Sequence, residues 1–500
     1  MSRIGIVDLG SNTARLVVYA YEPSSWYRLE DEIREPVRLA EGFGAGNHLS
    51  PAAVDRSVAA VQLMADFAKA TELGRLEVIA TSAVRDAENR QQLLDRLQGL
   101  DLDIWITAGT EEAELGVLAA ANSLSLENAW VIDLGGGSVQ VSLMEDRRFV
   151  HGESFPLGMV RMSERFLVSD PPRRTEVLAL EAEAQESLGT MTQAIRDSDY
   201  PLVAMGGTVR NLARAVQKRI SYPLEILHAY TLPRADLEAL TARLVASSFQ
   251  ERRSIPGIRQ DRSDVITAGA VIYRWILQSS RRQEILISGH GMREGALYRH
   301  LLPAPHLLED VREFSIRNLL AGFRQQAAHV DHVRFLARRL FEGLAEEFEL
   351  DATAGEILAA AAALHDLGTS LFYYRHHRHG AYLLGSGPLY GYGHREQVLI
   401  MLLVRWHEKG FPRTAPYDPV LEPGDALLLL RLTACLRLAE HLERSRMGRI
   451  KDLSVQVHPE QVVLHLVADE EPVVEVWEAL KLTASLFREA FDRSLEIVRS

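Results

Sequence analysis

The feature that most constrains this chain is a pattern that occurs twice. Arg3 to Val7 is apolar and β-branched, stops at Asp8-Leu9-Gly10-Ser11-Asn12-Thr13, and is followed by an alternating run from Ala14 to Tyr21. At Ala129 the pattern returns: Trp130-Val131-Ile132, then Asp133-Leu134-Gly135-Gly136-Gly137-Ser138, then alternation from Val139 to Met144. Each copy reads as strand, Gly/Ser turn, strand. Such self-similarity implies a duplicated fold with two facing lobes. Two more strands end in turns of the same chemistry: Leu202 to Met205 before Gly206-Gly207-Thr208, and Ile285 to Ile287 before Ser288-Gly289-His290-Gly291. Loops gathered at strand ends line one cleft in open α/β folds.

Other elements fall between these landmarks. Pro51 to Thr71 reads as a helix with Val54, Val58, Val61 and Ala65 on one face and Ser50 as its N-cap. The strand Leu76 to Ala80 leads into a turn at Thr81-Ser82-Ala83-Val84-Arg85, and the strand Asp103 to Thr107 leads into Gly109-Thr110-Glu111-Glu112, which opens a helix through Leu124. Composition changes near Leu302-Pro303-Ala304-Pro305, after which Asp310 to Met447 is almost wholly helical. The tail returns to strands, Asp452 to Val457 and Gln461 to Val467, and closes with a helix from Trp477 to Asp492. A chain of 500 residues exceeds one core. The expected organisation is a lobe at 1–125, a second at 126–305, a helical domain at 306–450 and a small α+β tail at 451–500.

Glycine-rich turns bind phosphate through backbone N–H groups, because no side chain blocks close approach. Here each such turn begins with a carboxylate at a strand end, Asp8 or Asp133, where Mg²⁺ can be held directly or through water. The net charge of −13 argues against nucleic-acid or membrane binding through charge alone, yet leaves room for a basic groove on an acidic body. The single cysteine, Cys435, permits no disulfide within the chain and fits a reducing compartment; its place in the apolar run Leu427 to Leu438 makes it a core residue. No signal-peptide pattern opens the sequence and no apolar stretch reaches membrane-spanning length, so a soluble, cytoplasmic protein is expected.

The paired Asp-x-Gly turns resemble those of the actin, sugar-kinase and heat-shock ATPase superfamily (the ASKHA, ribonuclease H-like fold), and the finer matches are to its exopolyphosphatase and guanosine pentaphosphate phosphohydrolase branch, Ppx/GppA. Those matches are Asp8 to Asn12, Ala80 to Arg85, Gly109 to Ala113, Asp133 to Ser138, Leu157-Gly158, Gly206 to Thr208 and Gly291 to Gly295, in the family's order. The resemblance implies a duplicated actin-like two-lobe α/β fold. It also implies that Glu112 is the general base that activates the attacking water, and that Asp133 positions metal and water. A carboxylate near metal and phosphate is chemically suited to that task. Gly10, Ser11, Asn12, Gly136, Gly137, Ser138, Gly207 and Thr208 would surround the terminal phosphates. Arg85 stands at a turn where a guanidinium can grip phosphate oxygens in bidentate fashion. Arg293 either binds the anionic chain or braces the cleft. One position departs from the family pattern: Gln140 stands where Glu is usual. An amide orients water or bonds phosphate, but accepts no proton and is a weaker metal ligand.

The helical remainder resembles the family's longer members and the HD superfamily, in which a distant His, a vicinal His-Asp pair and a later Asp bind metal. The matching residues are His329, His365-Asp366 and, with Glu in place of Asp, Glu440. The resemblance leaves two readings open, a further divalent-metal site or a relic whose histidines are core and channel residues. Arg375-His376-His377-Arg378-His379, His394 and Arg405-Trp406-His407 also match; the first of these offers charge that suits guiding a polyanion.

The expected activity is therefore Mg²⁺- or Mn²⁺-dependent release of terminal orthophosphate from polyphosphate. Guanosine pentaphosphate (pppGpp) is the alternative substrate, since both present the same reactive end. Two further expectations are a phosphate-chain or nucleotide sensor with weak catalysis, favoured by Gln140, and a phosphohydrolase seated in the helical domain. A homodimer is implied by the resemblance alone.

Overall fold

The structure is a computed structural model describing residues 1–42, 47–100, 102–323 and 326–499. The chain divides into two compact units, Met1–Phe314 and Ser315–Ser500.

Unit 1 is built on two mixed sheets. The first holds β1 (Ser2–Leu9), β2 (Thr13–Glu22), β3 (Trp26–Pro36), β4 (Arg75–Ala80) and β5 (Asp103–Ile106), in the order β3-β2-β1-β4-β5. The second holds β6 (Ala129–Leu134), β7 (Val139–Glu145), β8 (Arg148–Phe155), β9 (Leu202–Met205), β10 (Thr231–Pro233) and β11 (Glu284–Ile287), in the order β10-β11-β9-β6-β7-β8. In each sheet an antiparallel meander is followed by parallel neighbours. The duplication extends to register: Asp8 lies opposite Arg15, and Asp133 opposite Gln140. It extends to the turns too. Gly10 N–H donates to Thr13 O at 3.1 Å, and Gly135 N–H to Ser138 O at 2.9 Å. Parallel pairing of β1 with β4, and of β6 with β9, brings the turns after all four strands to the same edge of their sheets.

The strands form where β-branched residues can be covered on both faces: Ile4, Ile6 and Val7 are fully buried, as are Ile132 and Val203. The helix Pro51–Ala70 begins as expected, with Ser50 Oγ accepting Ala53 N–H at 3.2 Å. Its Val54, Val61, Met64 and Ala65 face the core. Two local details differ from the sequence reading. The segment after Thr81 is one turn of helix, Ser82–Arg85, and the helix carrying Glu112 stops at Ala121. There the Asn122 side chain bonds His306 O and Leu308 N–H, and so diverts the chain. The meander strands β3 and β8 gave no sequence signal. Both are edge strands with polar exposed faces, and so lack an apolar run.

Unit 2 is mainly helical, with helices at Ala327–Leu344, Ala352–Leu364, His376–Gly385, His394–Trp406, Asp425–Leu442 and Val473–Phe491. Its sheet joins β12 (Ile450–Val457) and β13 (Gln461–Ala468), the expected hairpin, to β14 (Ser494–Arg499), which pairs parallel to β13. Cys435 is buried in the Asp425–Leu442 helix and its thiol is pushed up to about 12, so it rests as a core thiol. Among the described residues no helix is long and apolar enough to cross a membrane.

Candidate functional site

The strand-end turns of unit 1 converge on one cavity of about 300 Å³. Asp8, Gly10, Ser11 and Asn12 line it from the first turn, and Asp133, Gly136 and Ser138 from the second. Gly207, Glu112 and Arg293 complete the set of expected residues found on its wall. The turns touch: Ser11 Oγ lies 3.0 Å from Ser82 Oγ, and Gly137 packs against both hydroxyls. Two glycines make this approach feasible. At Gly158 a Cβ would stand 2.2 Å from the Gly137 carbonyl carbon, so only hydrogen fits behind the second turn. Gly206 has φ +90°, and a Cβ there would meet Asp133 Oδ1 at 2.4 Å.

Three partly buried carboxylates share this cavity. Burial raises Asp8, opposed by Arg293 and Arg15. It raises Asp133 to about 6, with Arg210 opposing and Asp8 adding to the rise. Glu112 reaches about 7 through burial, moderated by Arg85 and increased by the charges of Asp133 and Asp8. Three carboxylates crowded into one shielded site are relieved by a cation, and Asp8 with Asp133 offer oxygen ligands of the kind a hard divalent ion takes.

The rest of the wall is cationic. Arg15 and Arg34 come from β2 and β3, Arg210 and Arg214 from the helix Gly207–Arg219, and Arg259 and Arg262 from the segment before Ile266. With Arg293 these make seven arginines against the four carboxylates Asp8, Glu32, Glu112 and Asp133. Burial lowers Arg210 to about 10, with Arg293 adding to it; burial and then Arg34 lower Arg262 to about 10. Guanidiniums crowded until they lower one another are relieved by an anion. Arg293 also has a neighbour that sequence reasoning missed. Glu294 accepts Tyr19 O–H at 2.9 Å and Gly291 N–H at 2.8 Å, and despite burial it is held down to about 2, chiefly by Arg293. The guanidinium thus sits beside a fixed carboxylate at a helix start.

Four residues expected to contact phosphate do not line this cavity. Thr208 is fully buried and its hydroxyl donates to Leu134 O at 3.0 Å, because the carbonyl ending β6 is a nearer acceptor than the cavity. Gln140 is buried too, with Nε2 donating to Ser138 Oγ at 2.8 Å and to Ser154 Oγ at 3.0 Å. Gly137 backs onto the first turn. Arg85 pairs with Glu112, Nη1 to Oε2 at 3.1 Å, and donates to Thr107 O at the same distance. It lines an adjacent cavity that shares Ser138 with the first.

Unit 2 brings its own expected residues together. His329 Nε2 lies 3.2 Å and His365 Nε2 3.0 Å from Glu440 Oε2, and both lie 3.8 Å from Asp366 Oδ2. Burial opposes a charge on His365, but Glu440 and then Asp366 push it up to about 9.

A duplicated Asp-Gly turn, a shielded glutamate beside it and an arginine-lined wall thus share one cavity suited to an anion. The chain belongs to the Ppx/GppA phosphatase family: residues 17–304 match that family, and residues 311–483 match its domain III. It is accordingly a phosphatase that hydrolyses phosphoric anhydride bonds. A "guanosine-5'-triphosphate,3'-diphosphate pyrophosphatase" of Pseudoalteromonas atlantica is 28% identical over 414 residues, covering 81% of this chain and 79% of the relative. Among solved structures, an exopolyphosphatase from Cytophaga hutchinsonii superposes with a TM-score of 0.56 at 25% identity, covering 60% of this chain and 98% of the other. The Ppx-GppA enzyme of Aquifex aeolicus, at TM-score 0.50 and 23% identity over 59% and 98% of the two chains, shares the fold.

Proposed function

We propose that the chain is an exopolyphosphatase that removes terminal orthophosphate from inorganic polyphosphate, with Glu112 as the base for the attacking water. The observation that carries this reading is the cavity wall, on which seven arginines face a glycine-turn pocket holding three partly buried carboxylates. A long polyanion gains most from such a lining. Glu112 near 7 is poised to take a proton at neutral pH. Arg85 holds its Oε2 and favours its ionised form. Asp8 and Asp133 would hold the divalent ion, which when bound neutralises charge on the terminal phosphoryl group. The turns Gly10 to Asn12 and Gly136 to Ser138 would cradle that group, and Gln140 acts through Ser138. Accepting from Gln140 Nε2 leaves the Ser138 hydroxyl free to donate its own proton to phosphate.

The matching topologies of the two sheets support reading unit 1 as an actin-like two-lobe fold, and the gathered His329, His365, Asp366 and Glu440 support an HD-like reading of unit 2 with a divalent ion of its own. The second substrate reading is pppGpp, favoured by the name of the Pseudoalteromonas relative.

The test is phosphate release from long-chain polyphosphate and from pppGpp, side by side with Mg²⁺, for wild type and Glu112→Gln. The variant is expected to lose roughly 10²- to 10⁴-fold in kcat while still binding the chain. Preference for pppGpp moves the assignment to the second reading, and an active Glu112→Gln removes Glu112 from the base role.

A further inference from the structure

Arg85 is held by more than its bond to Glu112. Its Nη1 donates to Glu112 Oε2 and to Thr107 O, both at 3.1 Å, and its Nε lies 3.3 Å from Asp86 Oδ1. A guanidinium is a rigid planar fork, so fixing the Nε edge fixes the direction in which Nη1 points. Asp86 is fixed in turn by a residue distant in sequence. Arg161, on the helix Met159–Phe166 that follows β8, donates from Nη2 to Asp86 Oδ2 at 3.1 Å.

The start of that helix also carries the second glycine turn. Met159 N–H donates to Gly135 O at 3.0 Å, and Val160 N–H to Gly136 O at 2.9 Å. One line of contacts therefore runs from the backbone of this turn through Arg161, Asp86 and Arg85 to Glu112. The Arg161 and Asp86 side chains are 18% and 28% exposed, so their pair is sheltered from the solvent that leaves most surface ion pairs with little effect. Neither residue is on the wall of the cavity that holds Glu112. Both line the adjacent cavity of about 590 Å³ together with Arg85, and so they reach the reaction only through other side chains.

We propose that Asp86, braced by Arg161, is a positioning residue for the base: it keeps Arg85 on one oxygen of Glu112 and leaves the other to hold the attacking water. The proposal rests on the reading of Glu112 as that base. A guanidinium released at Nε turns on its long stem and closes on a carboxylate through two parallel N–H bonds, the pairing that arginine favours. Glu112 gripped in that way has both oxygens turned to Arg85 and away from water. Asp86 prevents this by holding the edge of the fork, and Arg161 ties its grip to the helix that supports the second glycine turn.

The test is phosphate release from long-chain polyphosphate and from pppGpp at neutral pH with Mg²⁺, with circular dichroism to check that each variant is folded. Asp86→Asn keeps the shape of the side chain and loses its charge. It is expected to lose roughly 10- to 100-fold in kcat while KM stays within about twofold of wild type, because only the geometry of the base is disturbed. Arg161→Met should lose kcat in the same way, and Arg161→Lys should recover most of it, since an ammonium also pairs with Asp86. In an Arg85→Met background Asp86→Asn should cost nothing further, because no guanidinium is left to hold. Losses that multiply in the double variant, or a KM that climbs with the fall in kcat, overturn the proposal and leave the base reading standing. A Glu112→Gln variant that stays active removes the base reading and this proposal with it, so the two failures are told apart.

Discussion

Replacing Arg85 by Met separates two roles for this residue, grip on phosphate and control of Glu112. The guanidinium lies 3.1 Å from Glu112 Oε2, and both side chains are mostly shielded, at 20% and 13% exposure. A pair at about 4 Å is worth roughly 1 kcal/mol in water and about 4 at an effective dielectric of ~20. A charge-assisted hydrogen bond contributes ~1.5–3 kcal/mol, which lies between these limits. At about 1.4 kcal/mol per pH unit, removing the cation lifts Glu112 by ~1–2 units. Glu112 starts near 7, so the variant carries its carboxylate at about 8–9. The sign follows: the base works ionised, a raised value keeps it protonated at neutral pH, and activity returns as pH rises. At pH 7 the ionised fraction falls from about half to about 1–10%, a loss of ~5- to 50-fold in kcat that disappears by about pH 10. A bound divalent ion lowers both limbs, so the separation between wild type and variant is the quantity to compare. The assay is the pH profile of kcat for phosphate release at saturating polyphosphate and Mg²⁺. An acidic limb that stays in place while KM climbs would refute the argument and return Arg85 to the phosphate-gripping role suggested by its sequence position.

Three further outcomes follow from the geometry of unit 1. Arg262→Met removes a half-buried cation from the cavity wall and should raise KM for polyphosphate ~10- to 100-fold, with kcat nearly unchanged; an unaltered KM would mean the chain passes elsewhere. Gly158→Ala puts a methyl group 2.2 Å from the Gly137 backbone and must displace the second turn, so phosphate release should fall at least ~100-fold even where circular dichroism shows a folded chain; near-wild-type release would deny the turn its part in the site. Gln140→Glu introduces a carboxylate opposite Asp133, and half-maximal activity should be reached at a several-fold lower Mg²⁺ concentration. An identical Mg²⁺ titration would place the ion away from that side chain.

What was legible in the sequence is what local chemistry encodes. Asp8 and Asp133 stand out because each is tied to a glycine turn that bends only one way, and Ser50 because an N-cap acts over three residues. Apart from Arg293, the arginines of the wall were not legible. An Arg on a strand or helix ordinarily means a surface ion pair, and nothing local shows that β2, β3, the helix after Gly206 and the segment before Ile266 turn their guanidiniums into one cavity. Of the other six, Arg15 left a trace, since aligning the two repeats sets it at the position of Gln140. Thr208 is off the cavity wall for the converse reason. Its motif reads as a turn in the sequence but opens the helix Gly207–Arg219, and its buried hydroxyl takes a nearby acceptor, Leu134 O. The pairing of His376 with His407 likewise depends on bringing together helices that are distant in sequence.

The repeat also shows how a symmetric fold acquires a direction. Both copies set an Asp one residue before the strand end and close the turn with the same hydrogen bond, so the two turns share one backbone geometry. Their register partners then diverge: Arg15 faces Asp8, whereas Gln140 faces Asp133. A cation beside the first carboxylate opposes the rise that burial causes there and draws anions to that side, while a neutral amide leaves the second carboxylate open to a divalent ion. Glu112 is raised by both carboxylates, so it titrates according to what occupies each of them. On this reading the acidity of the base follows the state of the ion and the phosphate chain, and a site bound only to metal differs in its proton affinity from one bound to both.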